Sequence, residues 1–290
     1  MKQLLILSGK GGTGKTTIAS AFIKLSQAKR FADCDVDAPN LHLAMDINTV
    51  PEKDDFYGLD KAQIDQEKCI KCGLCKEHCK FDSVHYNKDK DEYKVDYFAC
   101  EGCTVCDYVC PADAIDMKPA IIGDLMLYLN DSVFSTAKLR MRSGNSGLLV
   151  TEVKKRMKLK DLETDLAIID GSPGIGCPVI ASISGVDMIL LVAEPSVSGI
   201  NDLERVISTA DYFKTPVAVC VNKYDVNEAN TEKIVRLCKK MELPFVGKIP
   251  FDKSAIDAVN QGLTIVDIDC ISGEKTRDVY KNTINYLNKI

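Results

Sequence analysis

Short apolar runs recur along both flanks of the chain, and most are followed by polar residues and then by a helical pattern. The runs at 4–7, 30–32, 166–170, 188–192, 217–221 and 245–249 predict strands. Apolar residues at helical spacing predict helices that begin near 18 and cover about 148–157, 201–212, 228–241 and 253–261. This alternation predicts an α/β fold, a doubly wound and mostly parallel sheet with helices on each face.

The middle of the chain breaks this alternation. Residues 46–66 are polar and interrupted by Pro51 and Gly58, so they predict a linker. Residues 84–86 and 93–95 predict a small hairpin, and residues 114–117 predict a closing strand. Residues 121–139 allow no assignment. We therefore predict a small inserted α+β domain at 60–118, and a larger domain formed by 1–59 and 119–290.

A glycine-rich turn separates the first predicted strand from the first predicted helix, with the pattern Gly-x-x-x-x-Gly-Lys-Thr from Gly9 to Thr16. This is the context of a phosphate-binding loop, because glycines let backbone N–H groups approach phosphate oxygens and the helix N-terminus adds partial positive charge. Lys15 is expected to reach the β- and γ-phosphates, and the Thr16 hydroxyl is expected to bind Mg²⁺. The predicted nucleotide contacts are Gly11, Gly12, Thr13, Gly14, Lys15, Thr16 and Thr17.

Carboxylates follow two further predicted strands. Asp33, Asp35 and Asp37 come after the strand at 30–32, and Asp170 ends the strand at 166–170. Such strand ends lie beside the phosphate loop in a doubly wound sheet. The pattern Asp-Gly-Ser-Pro-Gly at 170–174 is typical of a Walker B strand that leads into a switch II loop. We therefore predict that Asp170 holds the Mg²⁺ shell and that the Gly174 N–H meets the γ-phosphate.

Asn222 and Asp225 follow the strand at 217–221, within the tetrapeptide Asn-Lys-Tyr-Asp. This segment resembles the base-recognition segment of P-loop proteins, which implies that Asn222 hydrogen-bonds the base and that Asp225 belongs to the nucleotide site. A polar turn at a strand end is the alternative.

Eight of the thirteen cysteines form two runs with one spacing, C-x₂-C-x₂-C-x₃-C. This is the spacing of two-cluster bacterial ferredoxins, in which the fourth cysteine of each run completes the other cluster. The pattern predicts one 4Fe–4S cluster on Cys69, Cys72, Cys75 and Cys110, and a second on Cys100, Cys103, Cys106 and Cys79. Zinc is the main rival because C-x₂-C pairs also bind zinc, but two complete runs with C-x₃-C endings favour iron–sulfur clusters.

Composition and charge limit the kinds of partner and the cellular compartment that we expect for this protein. The chain is 46% hydrophobic and 27% charged, as is typical of soluble globular proteins, and its net charge of −5 does not favour nucleic acid or an anionic membrane. No apolar run reaches the length of a membrane span, and no leader is predicted before the first strand. We therefore expect a cytoplasmic protein whose clustered cysteines bind metal. Residues 274–290 are expected to dock on the sheet through Val279, Leu287 and Ile290.

Lys10 is a feature that a plain phosphate loop does not require. A second lysine directly after Gly9 resembles the deviant Walker A loop of the MinD/ParA family of P-loop ATPases, which includes the nitrogenase iron protein. The resemblance implies hydrolysis of Mg-ATP and homodimers that form with ATP. It also implies that Asp35 orients the attacking water, and that Lys10 crosses to the partner's nucleotide as an arginine finger does.

Over nearly its whole length the chain resembles the members of that superfamily with an inserted ferredoxin domain. The Asn-Ser-Gly at 145–147 resembles a stretch of those proteins, although no chemistry follows from it. Cys177 lies seven residues past Asp170, an offset similar to that of a cysteine which holds a shared cluster in the nitrogenase iron protein. A third metal site between two subunits and a small residue in a tight turn are both open for Cys177.

Three functions follow from these patterns. The first is an ATPase that couples its nucleotide state to electron transfer, or to cluster delivery to a redox or metalloprotein client. The second is a MinD-like positioning or scaffold ATPase whose clusters are structural. The third is an amidase like cobyrinic acid diamide synthase, which is disfavoured because its glutaminase needs a Cys–His pair. All three histidines, His42, His78 and His85, lie in the first third of the chain.

Overall fold

The computed structural model describes residues 1–141, 143–160 and 162–290, which form thirteen strands and ten α-helices. The strands are β1 (Lys2–Leu7), β2 (Arg30–Asp33), β3 (Glu52–Tyr57), β4 (Lys61–Ile64), β5 (Val84–Asn87), β6 (Glu92–Val95), β7 (Ile115–Lys118), β8 (Ile121–Leu129), β9 (Val133–Leu139), β10 (Leu166–Asp170), β11 (Met188–Ala193), β12 (Val217–Asn222) and β13 (Phe245–Ile249). The helices are α1 (Lys15–Ser26), α2 (Leu41–Ala44), α3 (Leu74–Glu77), α4 (Val105–Tyr108), α5 (Ser146–Arg156), α6 (Cys177–Ile183), α7 (Val197–Tyr212), α8 (Glu228–Lys240), α9 (Lys253–Asn260) and α10 (Ile271–Leu287).

One nine-stranded sheet forms the centre of the molecule, in the order β13–β12–β11–β1–β10–β2–β9–β8–β3. Neighbouring strands from β13 to β9 are parallel, whereas β8 and β3 run antiparallel to their neighbours. Almost every side chain of β1, β10 and β11 is buried, as expected of central parallel strands that helices cover on both faces.

Helices pack on both faces of this sheet. On one face α1, α2 and α10 enclose a core that includes Phe22, Leu41 and Val279. On the other face α5, α6, α7 and α8 enclose a second core that includes Val153 and Leu203. The predicted α/β fold, a doubly wound and mostly parallel sheet, is confirmed.

The carboxyl ends of the parallel strands share one edge of the sheet, and the segment after β3 leaves from the same edge. Because β8 is antiparallel to β9, its beginning lies level with the end of β9, where Gly123 pairs with Leu139. Tyr57, the last residue of β3, pairs with Ile121, the first residue of β8. Residues 58–120 therefore leave and re-enter the sheet at the edge that carries the loops after β1, β2 and β10.

Residues 61–118 fold outside the nine-stranded sheet. Two antiparallel pairs, β4 with β7 and β5 with β6, frame a small core that contains Ile64, Val84 and Ile115. Cys75 and Cys100 are buried in this core. The predicted hairpin and closing strand are both present, as β5–β6 and β7.

The predicted linker at 46–66 is wrong, because β3 and the whole of β4 lie within it. The sequence of β3 is Glu-Lys-Asp-Asp-Phe-Tyr, and the strand pairs with β8 at the edge of the sheet. Charged residues are common on edge strands, where they oppose pairing with other chains, so β3 carries no hydrophobic signal. Residues 121–139, for which the sequence allowed no assignment, form the β8–β9 hairpin.

The C-terminal helix α10 packs against β13, as expected. Val279 and Leu287 are buried, but Ile290 is 48% exposed, so the predicted docking of Ile290 is wrong. The helix ends at Leu287, before Ile290 could turn toward the sheet. Among the described residues, no helix combines the length and the apolar character that a membrane crossing needs.

A buried lysine joins α5 to α6. The side chain of Lys154 is 8% exposed, and its ammonium group donates to the carbonyl oxygens of Ala181, Ser182 and Ser184 at 3.1, 2.7 and 2.6 Å. These carbonyls lie at the C-terminal end of α6, where helix carbonyls lack partners and a cation is favourable. Burial lowers the pKa of Lys154 to about 8.

Replacement of Lys154 tests the strength of this connection. Lys154→Met should lower the free energy of unfolding by about 2–3 kcal/mol, because buried carbonyls lose a charged donor. Urea unfolding of the intact protein, followed by circular dichroism, measures the loss. Lys155→Met is the matched control, since the Lys155 side chain is 75% exposed, and it should cost less than about 0.5 kcal/mol. Equal costs for the two variants would contradict the assignment.

Candidate nucleotide site and cysteine clusters

The glycine-rich loop between β1 and α1 lines a cavity of about 420 Å³ at the carboxyl edge of the sheet. Gly14, the residue before α1, has a positive φ of 88°, and a Cβ there would lie 2.3 Å from the Asn222 side chain. The cavity wall includes all the predicted loop contacts, namely Gly11, Gly12, Thr13, Gly14, Lys15, Thr16 and Thr17. The backbone and the α1 N-terminus thus face a space that suits phosphate groups.

Lys15 and Thr16 are held by Asp170 across the sheet. The Lys15 ammonium group lies 2.5 Å from Asp170 Oδ1, and the Thr16 hydroxyl donates to Asp170 Oδ2 at 2.7 Å. Lys15 is 6% exposed and Asp170 is 0% exposed. Burial would lower the pKa of Lys15, but the carboxylate of Asp170 more than offsets this and leaves that pKa raised. The predicted phosphate and Mg²⁺ ligands therefore already form one buried polar network.

Asp33 and Asp35 occupy different places after β2. Asp33 is fully buried and accepts backbone N–H groups from Asp35, Asn40 and Leu41 at 2.9–3.0 Å. Burial and the neighbouring Asp170 carboxylate raise the pKa of Asp33 to about 7. Asp35 lines the cavity, and its pKa is also raised by burial. Asp33 thus fixes the loop that presents Asp35 to the cavity.

The loop after β10, residues 171–176, is fastened to the end of β1 and to the loop after β2. The Gly174 N–H donates to the Ser8 carbonyl at 3.0 Å, and the Ser172 hydroxyl donates to the Cys34 carbonyl at 2.6 Å. The Gly174 N–H therefore has a partner within the chain. It must release Ser8 before it can meet a phosphate, so its predicted contact stays a prediction.

Lys10 points toward the start of α7 in its own chain. Its ammonium group lies 2.8 Å from a Glu194 carboxylate oxygen and 2.9 Å from the Ser196 hydroxyl. The predicted contact of Lys10 with a partner's nucleotide requires it to leave both groups.

The segment after β12 connects the phosphate loop to the loop after β13. Asn222 Nδ2 donates to the Thr13 carbonyl at 2.7 Å, and Lys223 Nζ donates to the Gly12 carbonyl at 2.9 Å. Asp225 accepts the backbone N–H of Phe251 at 2.7 Å and does not line the cavity. A role of Asn222 and Asp225 toward a base stays a prediction, and the contacts seen here are structural.

Sequence reasoning missed two groups of cavity residues. Lys223 supports the phosphate loop, and its place beside Asn222 was the available signal. Phe251, Ile256 and Val259 form an apolar wall after β13 and on α9. Such a wall suits the flat, apolar face of a base, but its position depends on how α9 folds back toward the loop.

The structure brings together cysteines from both runs. A small cavity in the insert is lined by Cys69, Cys72, Cys75 and Cys110, the four residues predicted to share one cluster. Cys106 lies beside Cys100 and Cys103, and burial raises the pKa of Cys106 to about 11. The described residues contain no group of three or more Cys, His, Asp or Glu side chains that converges on a single-ion position. The four thiols of the first set border the small cavity described above.

The fourth cysteine of each run has matching surroundings. Cys79 Sγ accepts the backbone N–H of Ser83 at 3.4 Å, and Cys110 Sγ accepts that of Ala114 at 3.4 Å. Both donors lie four residues past the cysteine. At Cys79, burial alone would raise the pKa of the thiol, but hydrogen bonds, those from Ser83 first, leave that pKa lowered, which favours the thiolate that binds metal. Cys177, by contrast, is an exposed residue at the start of α6, remote in sequence from both runs.

Comparisons with known proteins match most of the length of this chain. The model of the CobQ/CobB/MinD/ParA nucleotide binding domain matches residues 4–265. An uncharacterized protein of Methanocaldococcus jannaschii is 29% identical over 98% of this chain and 97% of its own length. An iron-sulfur cluster carrier protein of the same organism is 21% identical over 97% of this chain and 83% of that protein.

Among solved structures, the cell division ATPase MinD of Pyrococcus furiosus has the same fold, with a TM-score of 0.58 at 16% identity over 98% of this chain and 99% of that one. The family match at 4–265 includes the phosphate loop, the aspartates after β2 and β10, and the segment after β12. The chain therefore belongs to the CobQ/CobB/MinD/ParA family of nucleotide-binding domains, and its fold is that of the MinD/ParA ATPases.

Proposed function

We propose that this protein hydrolyses Mg-ATP as a homodimer that forms with ATP, and that residues 60–118 carry two 4Fe–4S clusters. The nucleotide state controls electron transfer, or delivery of a cluster, to a redox or metalloprotein client. One observation carries the proposal, namely that the phosphate loop and the cysteine insert leave the same edge of one sheet. The match to an iron-sulfur cluster carrier protein over 97% of this chain supports the second of these roles, delivery of a cluster.

The nucleotide chemistry uses residues that are already poised. Bound Mg²⁺ supplies charge that orients and polarises the phosphates. Lys15 would turn from Asp170 to the β- and γ-phosphate oxygens, and Asp170 and the Thr16 hydroxyl are the residues that would then hold the cation. Asp35, at the cavity wall, accepts a hydrogen bond from the attacking water and orients it. Phosphoryl transfer needs positioning and charge stabilisation more than covalent help, and these groups supply both.

The insert suits two clusters by donor type, and the arrangement of the first predicted set suits one of them. Each predicted set contains four thiols, and bound clusters supply one-electron chemistry. Cys110 lies beside the first three cysteines of the other run, as cross-run ligation requires. The small core around Ile64 and Ile115 is too slight to fix the insert alone, so bound clusters also stabilise its fold.

Two substitutions separate nucleotide binding from hydrolysis. Lys15→Ala should weaken binding of Mg-ATP about 100-fold or more, because it removes the buried positive charge that faces the phosphates. Asp35→Ala should leave binding within a few-fold and slow hydrolysis by about 10²–10⁴-fold. Isothermal titration and phosphate release measure the two effects. Full turnover by Asp35→Ala would contradict the role given to Asp35.

Lys10→Ala should slow hydrolysis on the order of 10³-fold, the low end of the range for an arginine finger. Mixing this variant with Asp35→Ala tests action across the dimer. If Lys10 serves the partner's site, each heterodimer has one complete site, and turnover recovers to about one quarter of the wild-type rate. No recovery means that Lys10 acts within its own chain. Lys29→Ala, at an exposed lysine away from the phosphate loop, is the control and should keep full activity.

Cysteine variants test cluster content. Anaerobically purified protein should hold about eight irons per chain, and Cys110→Ser should hold about four, since it disrupts only the cluster bound by the first run. Cys177→Ser should keep about eight irons, because Cys177 belongs to neither predicted set. Iron and zinc analysis measures both. Zinc in place of iron would contradict the cluster assignment, and a loss of iron in Cys177→Ser would reveal a further site.

A further inference from the structure

We propose that Asn145 is the positioning residue that transmits the state of the loop after β10 to the cysteine insert. This role rests on the proposed function, because Asn145 would lie on the route by which a nucleotide acts on the clusters. Asn145 lies directly before α5, in the Asn-Ser-Gly stretch to which the sequence assigned no chemistry.

The covalent connection to the insert is a poor route. Every residue of β3 pairs with β8, and the Gly58 N–H donates to the Ala120 carbonyl at 3.0 Å, directly beyond the strands. The entry and exit of the insert are therefore fixed to the sheet. A movement of the loop after β2 would have to break an edge strand before it reached the first cysteine. The alternative route is through noncovalent contacts between the larger domain and the insert.

Asn145 makes such a contact. Its Oδ1 accepts the backbone N–H of Leu59 at 3.1 Å, at the point where the chain enters the insert. Leu59 and Asp60 pack against Gly102, where a Cβ would lie 2.5 Å from the Asp60 carbonyl oxygen. Gly102 lies between Cys100 and Cys103. One side chain thus holds the segment against which the second cysteine run rests.

A second contact reinforces the first. A Cβ at Gly144 would lie 2.6 Å from the Glu101 carboxylate, so this turn and the second cysteine run touch directly. Asn145 has a φ of +62°, a conformation that asparagine, aspartate and glycine accept more readily than other residues. Asparagine at this position therefore tolerates the positive φ and also supplies the oxygen that accepts the Leu59 N–H.

Helix α5 moves with α6 because the two helices touch at both ends. At the N-terminal end, a Cβ at Gly147 would lie 3.3 Å from the Cys177 carbonyl oxygen. At the other end, the Lys154 ammonium group donates to three carbonyls at the end of α6. Any shift of α6 is therefore carried to Asn145.

Helix α6 in turn begins directly after the loop that faces the nucleotide cavity. The Gly174 N–H donates to Ser8, and α6 starts at Cys177. If the Gly174 N–H leaves Ser8 for a phosphate, the start of α6 must move with it. The route then runs from the loop after β10 through α6 and α5 to Asn145, Leu59 and the second cysteine run.

Hydrogen exchange on the intact, anaerobically purified protein tests this route, because it measures whether nucleotide binding changes the stability of the insert. In the wild type, Mg-ATP should slow exchange in the phosphate loop and change exchange in peptides that cover 58–60 and 98–106. Asn145→Gly keeps the backbone conformation but removes the acceptor. It should speed exchange of the Leu59 amide roughly 2- to 10-fold and abolish the Mg-ATP response of the insert. The response of the phosphate loop and the rate of ATP hydrolysis should stay within about 2-fold.

Asn145→Asp is the matched control, since it keeps both the acceptor and the tolerance for positive φ, and it should keep the wild-type response of the insert. A wild-type response that reaches the phosphate loop but not the insert would overturn this inference alone. A response of the insert that survives in Asn145→Gly would do the same. No response in the phosphate loop would overturn both this inference and the proposed function.

Discussion

The carboxyl edge of the parallel sheet is the constraint on which the whole arrangement depends. Parallel strands deliver the loops after β1, β2 and β10 to one edge, and the antiparallel pair β8 and β3 returns the cysteine insert to that same edge. Five strand spacings separate β1 from β3, or about 24 Å at the usual distance between strands. The phosphate loop and the cysteine insert therefore lie on one side of the sheet without sharing a cavity.

Two buried carboxylates lie close together at this edge of the sheet. Asp33 and Asp170 are register partners on neighbouring strands, and both are fully buried. Lys15 is the buried cation that contacts Asp170, while burial and Asp170 raise the pKa of Asp33 to about 7. A divalent cation held by Thr16 and Asp170 would ease this repulsion. Through Asp170, such a cation would act on Asp33 and thereby on the loop that Asp33 fixes.

The sequence predicted those features whose signal is local. Each predicted chemical motif lies within a few residues of sequence: the pattern around Lys15, the aspartates at strand ends and the spacing of the cysteine runs. The buried strands are visible as short apolar runs. It missed β3 because an edge strand of charged residues has no hydrophobic period. It gave no role to Asn145 or Lys154, because their partners lie 86 and 27–30 residues away in the chain. Only tertiary packing shows that these two side chains join the insert, α5 and α6.

Redox titration of the anaerobic protein, followed by electron paramagnetic resonance with and without Mg-ATP, measures whether the nucleotide site acts on the clusters. If it does, Mg-ATP should shift the midpoint potential of the iron–sulfur signals by about 60 mV or more, or about 1.4 kcal/mol of coupling for one electron. Identical potentials and line shapes with and without Mg-ATP would contradict this coupling, because the nucleotide site and the clusters would then be energetically independent.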